Sequence, residues 1–87
     1  MNILEKANEI VNLRSEEKAR EYGPFVEGME RSAQILSGMT GTNVDAVFMY
    51  KALIALKLSR ESYNHKEDNL LDAAAYLGSL NNYYHEK

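Results

Sequence analysis

The stretch Val44-Asp-Ala-Val-Phe-Met-Tyr-Lys-Ala-Leu-Ile-Ala-Leu-Lys-Leu58 decides the fold. Its only charged residues are Asp45, Lys51 and Lys57. A helix that is apolar nearly all round is normally central in its fold or buried at an interface. The spacing predicts a helix from Val44 to about Tyr63, capped by Asn43, with Asp45 well placed in its first turn. In a chain of 87 residues, a central helix wrapped by three others leaves few faces to spare. Symmetric association is the common way for a small chain to add core, so a homo-oligomer is expected.

Outward from that stretch, three more helices can be read. A second helix runs from Pro24 to about Thr40, with Phe25, Met29, Ala33 and Leu36 along one face, and Gly41-Thr42-Asn43 ends it. Before it, Ile3, Leu4, Ala7, Ile10, Val11 and Arg14 follow helical spacing in a first helix from about Asn2 to Tyr22, and Gly23-Pro24 breaks the chain. After a polar turn, Asn64-His65-Lys66-Glu67, a fourth helix runs from about Asp68 to Tyr83. Its expected core side is Leu70, Ala73, Ala74, Leu77 and Tyr84, with Asp68, Asp72, Tyr76 and Ser79 along another side. The ending from Asn81 onward is expected to fray. The expected fold class is therefore all-α: a compact, oligomeric bundle of about four helices forming a single helical domain over 1–87.

Composition removes several function classes. The chain has no Cys, so it offers no disulfide framework and no thiolate metal site. His65 and His85 are too few for a zinc site without carboxylate help. No apolar run approaches the ~20 residues that a membrane span needs, and the start, Met-Asn-Ile-Leu-Glu-Lys, does not read as a signal peptide. Cytoplasmic residence is the expectation. The net charge is −3, with no block of like charge, which argues against duplex nucleic acid as a partner because phosphate neutralisation supplies most of that affinity. A small anionic ligand held by two or three local cations stays open. There is no Walker-type or dinucleotide glycine loop and no Gly-x-Ser-x-Gly elbow, so kinase, dehydrogenase and triad-hydrolase readings fall away.

Four constellations carry candidate chemistry, each with a bland counterpart. Asp68 and Asp72, with Asn69 between them, lie one helical turn apart and suit a shared Mg²⁺; equally, Asp68 caps the helix and Asp72 pairs with a cation. Glu27 and Glu30 share a helix face and read as the other half of a metal site, or as Glu27 paired with Arg31 and Glu30 in water. Lys57 and Arg60 end the apolar helix, where they suit phosphate or merely complement the helix dipole, with Lys57–Glu61 as a surface pair. Arg14, Arg20 and Tyr22, ahead of Gly23-Pro24, combine cations with a ring that stacks on a base or packs the turn.

The order Arg20-Glu-Tyr22-Gly23-Pro24, Lys57-Leu-Ser-Arg60 and Asp68-Asn69-Leu-Leu-Asp72-Ala-Ala-Ala-Tyr76 resembles a family of small, uncharacterised phage and prophage proteins. Its members carry a Tyr-Gly turn, a Lys-x-x-Arg ending a buried helix, and an Asp-Asn-x-x-Asp-x-x-x-Tyr helix, and the likeness covers about 20 to 80. More distantly, the layout resembles all-α nucleotide pyrophosphohydrolases of the MazG and dUTPase type. These hold Mg²⁺ with Glu-x-x-Glu on one helix and Glu-x-x-Asp on a later one, which map here to Glu27 and Glu30, then Asn69 and Asp72. Asn69 stands where that family has Glu, which removes one anionic ligand. Gly28 and its small or aliphatic neighbours stand where the phage family often has an Asn and a large aromatic.

The resemblance implies a phage-type protein of the bacterial host cytosol that binds a nucleotide or a nucleotide-derived defence signal without turnover. Lys57, Arg60, Arg20 and Arg14 would hold phosphate, Tyr22 or Tyr76 would contact the base, and Asn69 and Asp72 would read polar edges of base or ribose. No catalytic residue and no cofactor is then required. One alternative is a Mg²⁺-dependent pyrophosphohydrolase with Glu27, Glu30, Asp68 and Asp72 as ligands. Another is a helical module that inhibits a host protein and has no small ligand.

Overall fold

The computed structural model describes residues 1–13 and 24–86, which form four helices and no strand. Helix α1 covers Ile3–Asn8 and runs on into a single wide π-helical turn, Glu9–Leu13. Asn2 caps it: the Asn2 side chain accepts from the Glu5 amide at 2.9 Å, and Glu5 Oε1 accepts from the Asn2 amide at 3.1 Å. This reciprocal pair satisfies two helix-end donors at once. The uninterrupted first helix expected to Tyr22 is therefore corrected up to Leu13, where the backbone already departs from α geometry; its remainder lies outside the described residues.

Helix α2 is Phe25–Thr40. Pro24 occupies the N-cap position rather than the first turn, since its ψ of 139° is not helical. Gly41 ends the helix with φ of 71°, a left-handed conformation that costs a glycine nothing and a side chain-bearing residue something. Ser37 locks the following turn. Its Oγ accepts from the Val44 amide at 2.9 Å and lies 2.8 Å from the Ala33 carbonyl and 3.1 Å from the Val44 carbonyl.

Helix α3 is Ala46–Tyr63. Asp45 caps it, accepting from the Phe48 amide at 2.9 Å. The expected start at Val44 with Asn43 as the cap is thus corrected: the helix starts two residues later, and the Asp45 carboxylate caps it. Helix α4 is Glu67–Glu86, so the ending expected to fray is helical through Glu86. The reason is Tyr83, which is buried and anchors the last turns.

Helix α3 packs on both α2 and α4, and α1 with its wide turn packs on α4, giving the spatial order α2, α3, α4, α1. The core gathers Met29 of α2, Ala46 and Tyr50 of α3 and Tyr83 of α4, with Val26, Leu53 and Leu80 packed against it. Tyr50 is wholly enclosed. The core side of α4 holds Ala73 as expected and otherwise differs. Asn69, Ala73 and Tyr83 point inward, whereas Leu70, Leu77 and Tyr84 are exposed. Helix α3 is likewise central on two sides only, and its third side faces outward. No described helix is long and apolar enough to cross a membrane.

Candidate functional site

Helices α3 and α4 run antiparallel and meet along a polar seam. Tyr50 Oη lies 2.8 Å from Ser79 Oγ. Two turns along α3, Lys57 Nζ lies 2.8 Å from Asp72 Oδ2. One further turn on, Asn69 Nδ2 approaches Glu61 Oε1 at 3.5 Å. The spacings of seven and four in α3 are answered by seven and three in α4, because i, i+3, i+4 and i+7 share one helix face. The Lys57 side chain is 17% exposed and that of Asp72 38%, so the pair sits at the rim of the seam with its cation the deeper member. Asp72 therefore pairs with a cation, and the partner of Lys57 is Asp72 rather than Glu61.

An aromatic pair adjoins it. The rings of Phe25 and Tyr76 are stacked, 6.0 Å between centroids with 20° between planes. Phe25 also meets Tyr50 at 5.8 Å. Tyr76 follows Asp72 by four residues, one helical turn. A half-exposed aromatic surface thus begins one turn from the paired Lys57 and Asp72. Phe25 was expected only as a core position. Its place at the first residue of α2, where the helix end opens toward α4, gives it this second face.

The turn between α3 and α4 is organised by Glu61. Its Oε2 accepts from His65 Nδ1, and its Oε1 accepts from the Lys66 amide at 3.1 Å. The His65 hydrogen bond is the main reason the Glu61 carboxyl lies below its ordinary pKa; partial desolvation works against it, and the Lys66 and Asn69 donors add to the lowering. Asn69 is buried, and besides approaching Glu61 it donates to the Asn64 carbonyl at 3.4 Å. At the first residue of α4, Lys6 Nζ donates to Glu67 Oε1 at 2.8 Å and holds the Glu67 carboxyl low by hydrogen bond and charge. Sequence spacing gave no signal for the Lys6–Glu67 contact, which spans 61 residues, whereas Glu61 and His65 stand four apart and their spacing could have been read.

Of the expected ligand-binding residues, Lys57 and Asp72 come together, Tyr76 lies one turn from Asp72 and stacks on Phe25, and Asn69 lies one turn from Asp72 toward the Glu61 corner. Arg60, three residues beyond Lys57, is exposed. Arg14, Arg20 and Tyr22 lie outside the described residues. The expected metal ligands do not converge. Glu27, Glu30 and Asp68 are exposed, and among the described residues no three His, Asp or Glu side chains are grouped to hold a metal ion. A shallow depression of about 410 Å³ along α1, lined by Met1, Asn2, Leu4, Glu5, Asn8 and Glu9, shares no residue with the seam.

Residues 2–84 match the family described as Domain of unknown function (DUF6378). No curated protein matches the chain, and no solved structure does.

Proposed function

We propose, for a chain that belongs to the DUF6378 family of unknown function, that it binds a nucleotide or nucleotide-derived signal at the rim of the α3–α4 seam and does not turn it over. The observation that supports this reading is the Lys57–Asp72 pair standing one helical turn from the stacked Phe25 and Tyr76. A nucleotide asks for a cation at its phosphates, a flat apolar surface for its base and a carboxylate or amide for its sugar and base edges. Lys57 and Arg60 supply charge, Tyr76 and Phe25 supply the ring surface, and Asp72 accepts from a sugar hydroxyl while it orients Lys57. Arg14, Arg20 and Tyr22, outside the described residues, belong to this reading by their residue types in the sequence alone.

Sequestration is favoured over hydrolysis because Asn69 replaces an acidic ligand and donates inward to Glu61 and the Asn64 carbonyl. Glu27, Glu30, Asp68 and Asp72 are not grouped around one point. The likeness to small phage and prophage proteins, and more distantly to MazG-type enzymes, suggests that the ligand is a defence messenger captured in the bacterial cytosol.

The test is a nucleotide panel with Mg²⁺, read by melting temperature and by chromatography of the nucleotide afterwards. A raised melting temperature with intact nucleotide recovered from the denatured protein is the expected result. Ligand at a hundredfold over its Kd adds about 2.7 kcal/mol of stability, an easily read shift. Hydrolysis products would replace this reading with the pyrophosphohydrolase. No shift with any nucleotide would replace it with a protein-binding module.

A further inference from the structure

The ion pair of Lys57 and Asp72 is layered. Its ammonium lies behind and its carboxylate in front, since the Lys57 side chain is the more enclosed of the two. A ligand arriving at this rim therefore meets an acceptor first. Among the described residues Asp72 is bound by Lys57 through Oδ2, which leaves Oδ1 for the ligand. A carboxylate in an ion pair only accepts, so the ligand must turn a donor toward it, and phosphate oxygens are not donors. A bare carboxylate would also repel an anionic ligand. The Lys57 charge behind Asp72 offsets that repulsion. The other carboxylate of the seam, Glu61, is already filled by His65, the Lys66 amide and Asn69.

Which donor it is follows from the order of groups along the seam. Asp72 stands about 6 Å along the axis of α4 from Tyr76, whose ring stacks on Phe25. Lys57 lies opposite Asp72, and Glu61 opposite Asn69. The exposed Arg60 is therefore beyond Asp72 as seen from the rings. The rim offers ring, carboxylate and cation in that order, and a nucleotide offers base, sugar and phosphate in that order. The sugar is the part that reaches Asp72, and a ribose hydroxyl is the donor. A neighbouring hydroxyl oxygen can accept one of the hydrogens that Lys57 does not spend on Asp72. The pair thus suits two adjacent hydroxyls, one donating and one accepting.

We infer that Asp72, backed by Lys57, makes the site selective for ribonucleotides over 2′-deoxyribonucleotides. The inference rests on the nucleotide reading above and specifies its sugar. Its size follows from exposure. A site that buries such an acceptor fully rejects a ligand lacking the hydroxyl by about 10⁴-fold or more, because the acceptor is left unpaired. The Asp72 side chain is more than a third exposed, so water replaces a missing hydroxyl. The preference is then about tenfold, the worth of one hydrogen bond to a charged group.

The experiment titrates the full chain with ribonucleoside 5′-monophosphates and 5′-triphosphates, each beside its 2′-deoxy counterpart, and compares the Kd values within each pair. The ribose member should bind about tenfold tighter. Asp72→Ala should bring the two members of a pair close to equality, with helical circular dichroism unchanged. Phe25→Ala should weaken both members alike and keep their ratio, because its ring meets the base. Equal Kd values in the wild-type chain would overturn the inference while leaving the nucleotide reading in place, and need no variant to fold. A ribose preference that persists in folded Asp72→Ala would overturn it too, as would a preference that follows amino groups on the base and ignores the sugar. Binding by neither member of any pair would remove the nucleotide reading itself, and this inference with it.

Discussion

The hydroxyl of Tyr50 meets the hydroxyl of Ser79 at 2.8 Å across α3 and α4, 29 residues apart in the chain, with Tyr50 wholly enclosed. The contact sets the register in which Lys57 reaches Asp72 and Glu61 reaches Asn69. Tyr50→Phe should cost about 1 kcal/mol, the net worth of one hydrogen bond. Tyr50→Ala should cost about 3–5 kcal/mol, because it also opens a cavity where Phe25, Tyr50 and Tyr83 meet. Urea denaturation of the two variants checks both numbers, and equal costs would show that the ring contributes nothing to the core.

The ends of α2 and α3 are fixed by single residues. Gly41→Ala forces a side chain into a left-handed backbone at φ 71° and should cost about 1 kcal/mol. Asp45→Ala removes the acceptor for the Phe48 amide and should cost about the same. Asn43→Ala, at the position that spacing first suggests as the cap, should leave the melting temperature unchanged.

Acid sensitivity follows from Glu61 and Glu67. Both carboxyls lie below their ordinary value in the folded chain, Glu61 chiefly through His65 and Glu67 chiefly through Lys6. Between the folded and unfolded values the unfolded chain binds more protons, so stability rises with pH there. The contribution is fully present above about pH 4.5, the ordinary value, and is lost as pH falls through the lowered folded values. Glu61→Gln and Glu67→Gln should each flatten the acid limb of a melting-temperature profile. Identical acid limbs in wild type and both variants would contradict the assignment.

Lys57 offers a way to separate binding from folding. Its partner Asp72 is more than a third exposed, so Lys57→Ala should lower stability by about 1 kcal/mol or less. The same substitution should weaken nucleotide binding about tenfold or more, since a hydrogen bond from a charged group is worth about 1.5–3 kcal/mol. Asp72→Asn keeps the shape of the pair and removes its charge, and should weaken binding as well. A nucleotide-induced melting shift that is unchanged in both variants would remove the pair from the ligand site.

Local signals made much of this arrangement legible. The Gly41 stop, the α2 face through Met29 and Ala33, and the apolar run of α3 all rest on propensity and period, which a single sequence carries. The inward side of α4 did not, because Leu70, Leu77 and Tyr84 also follow helical spacing. Only the partners across the seam, Ser79 for Tyr50 and Asp72 for Lys57, select which of two apolar-looking sides turns in. The wide turn after Asn8 left no mark in the hydrophobic pattern. At the candidate site, Lys57, Asp72 and Tyr76 stood out by residue type and spacing. Phe25 did not, because its second role depends on which helix end it meets in space.

Lys6 pairs with Glu67, 61 residues later, and Asn12 pairs with Asn82, 70 residues later. Helix α1 therefore finds its packing partner only once α4, 61 to 70 residues later, has been synthesised. Until then its apolar side must wait in water, where chaperones and proteases have access to it, and α1 becomes protected only when α4 is there to pack against.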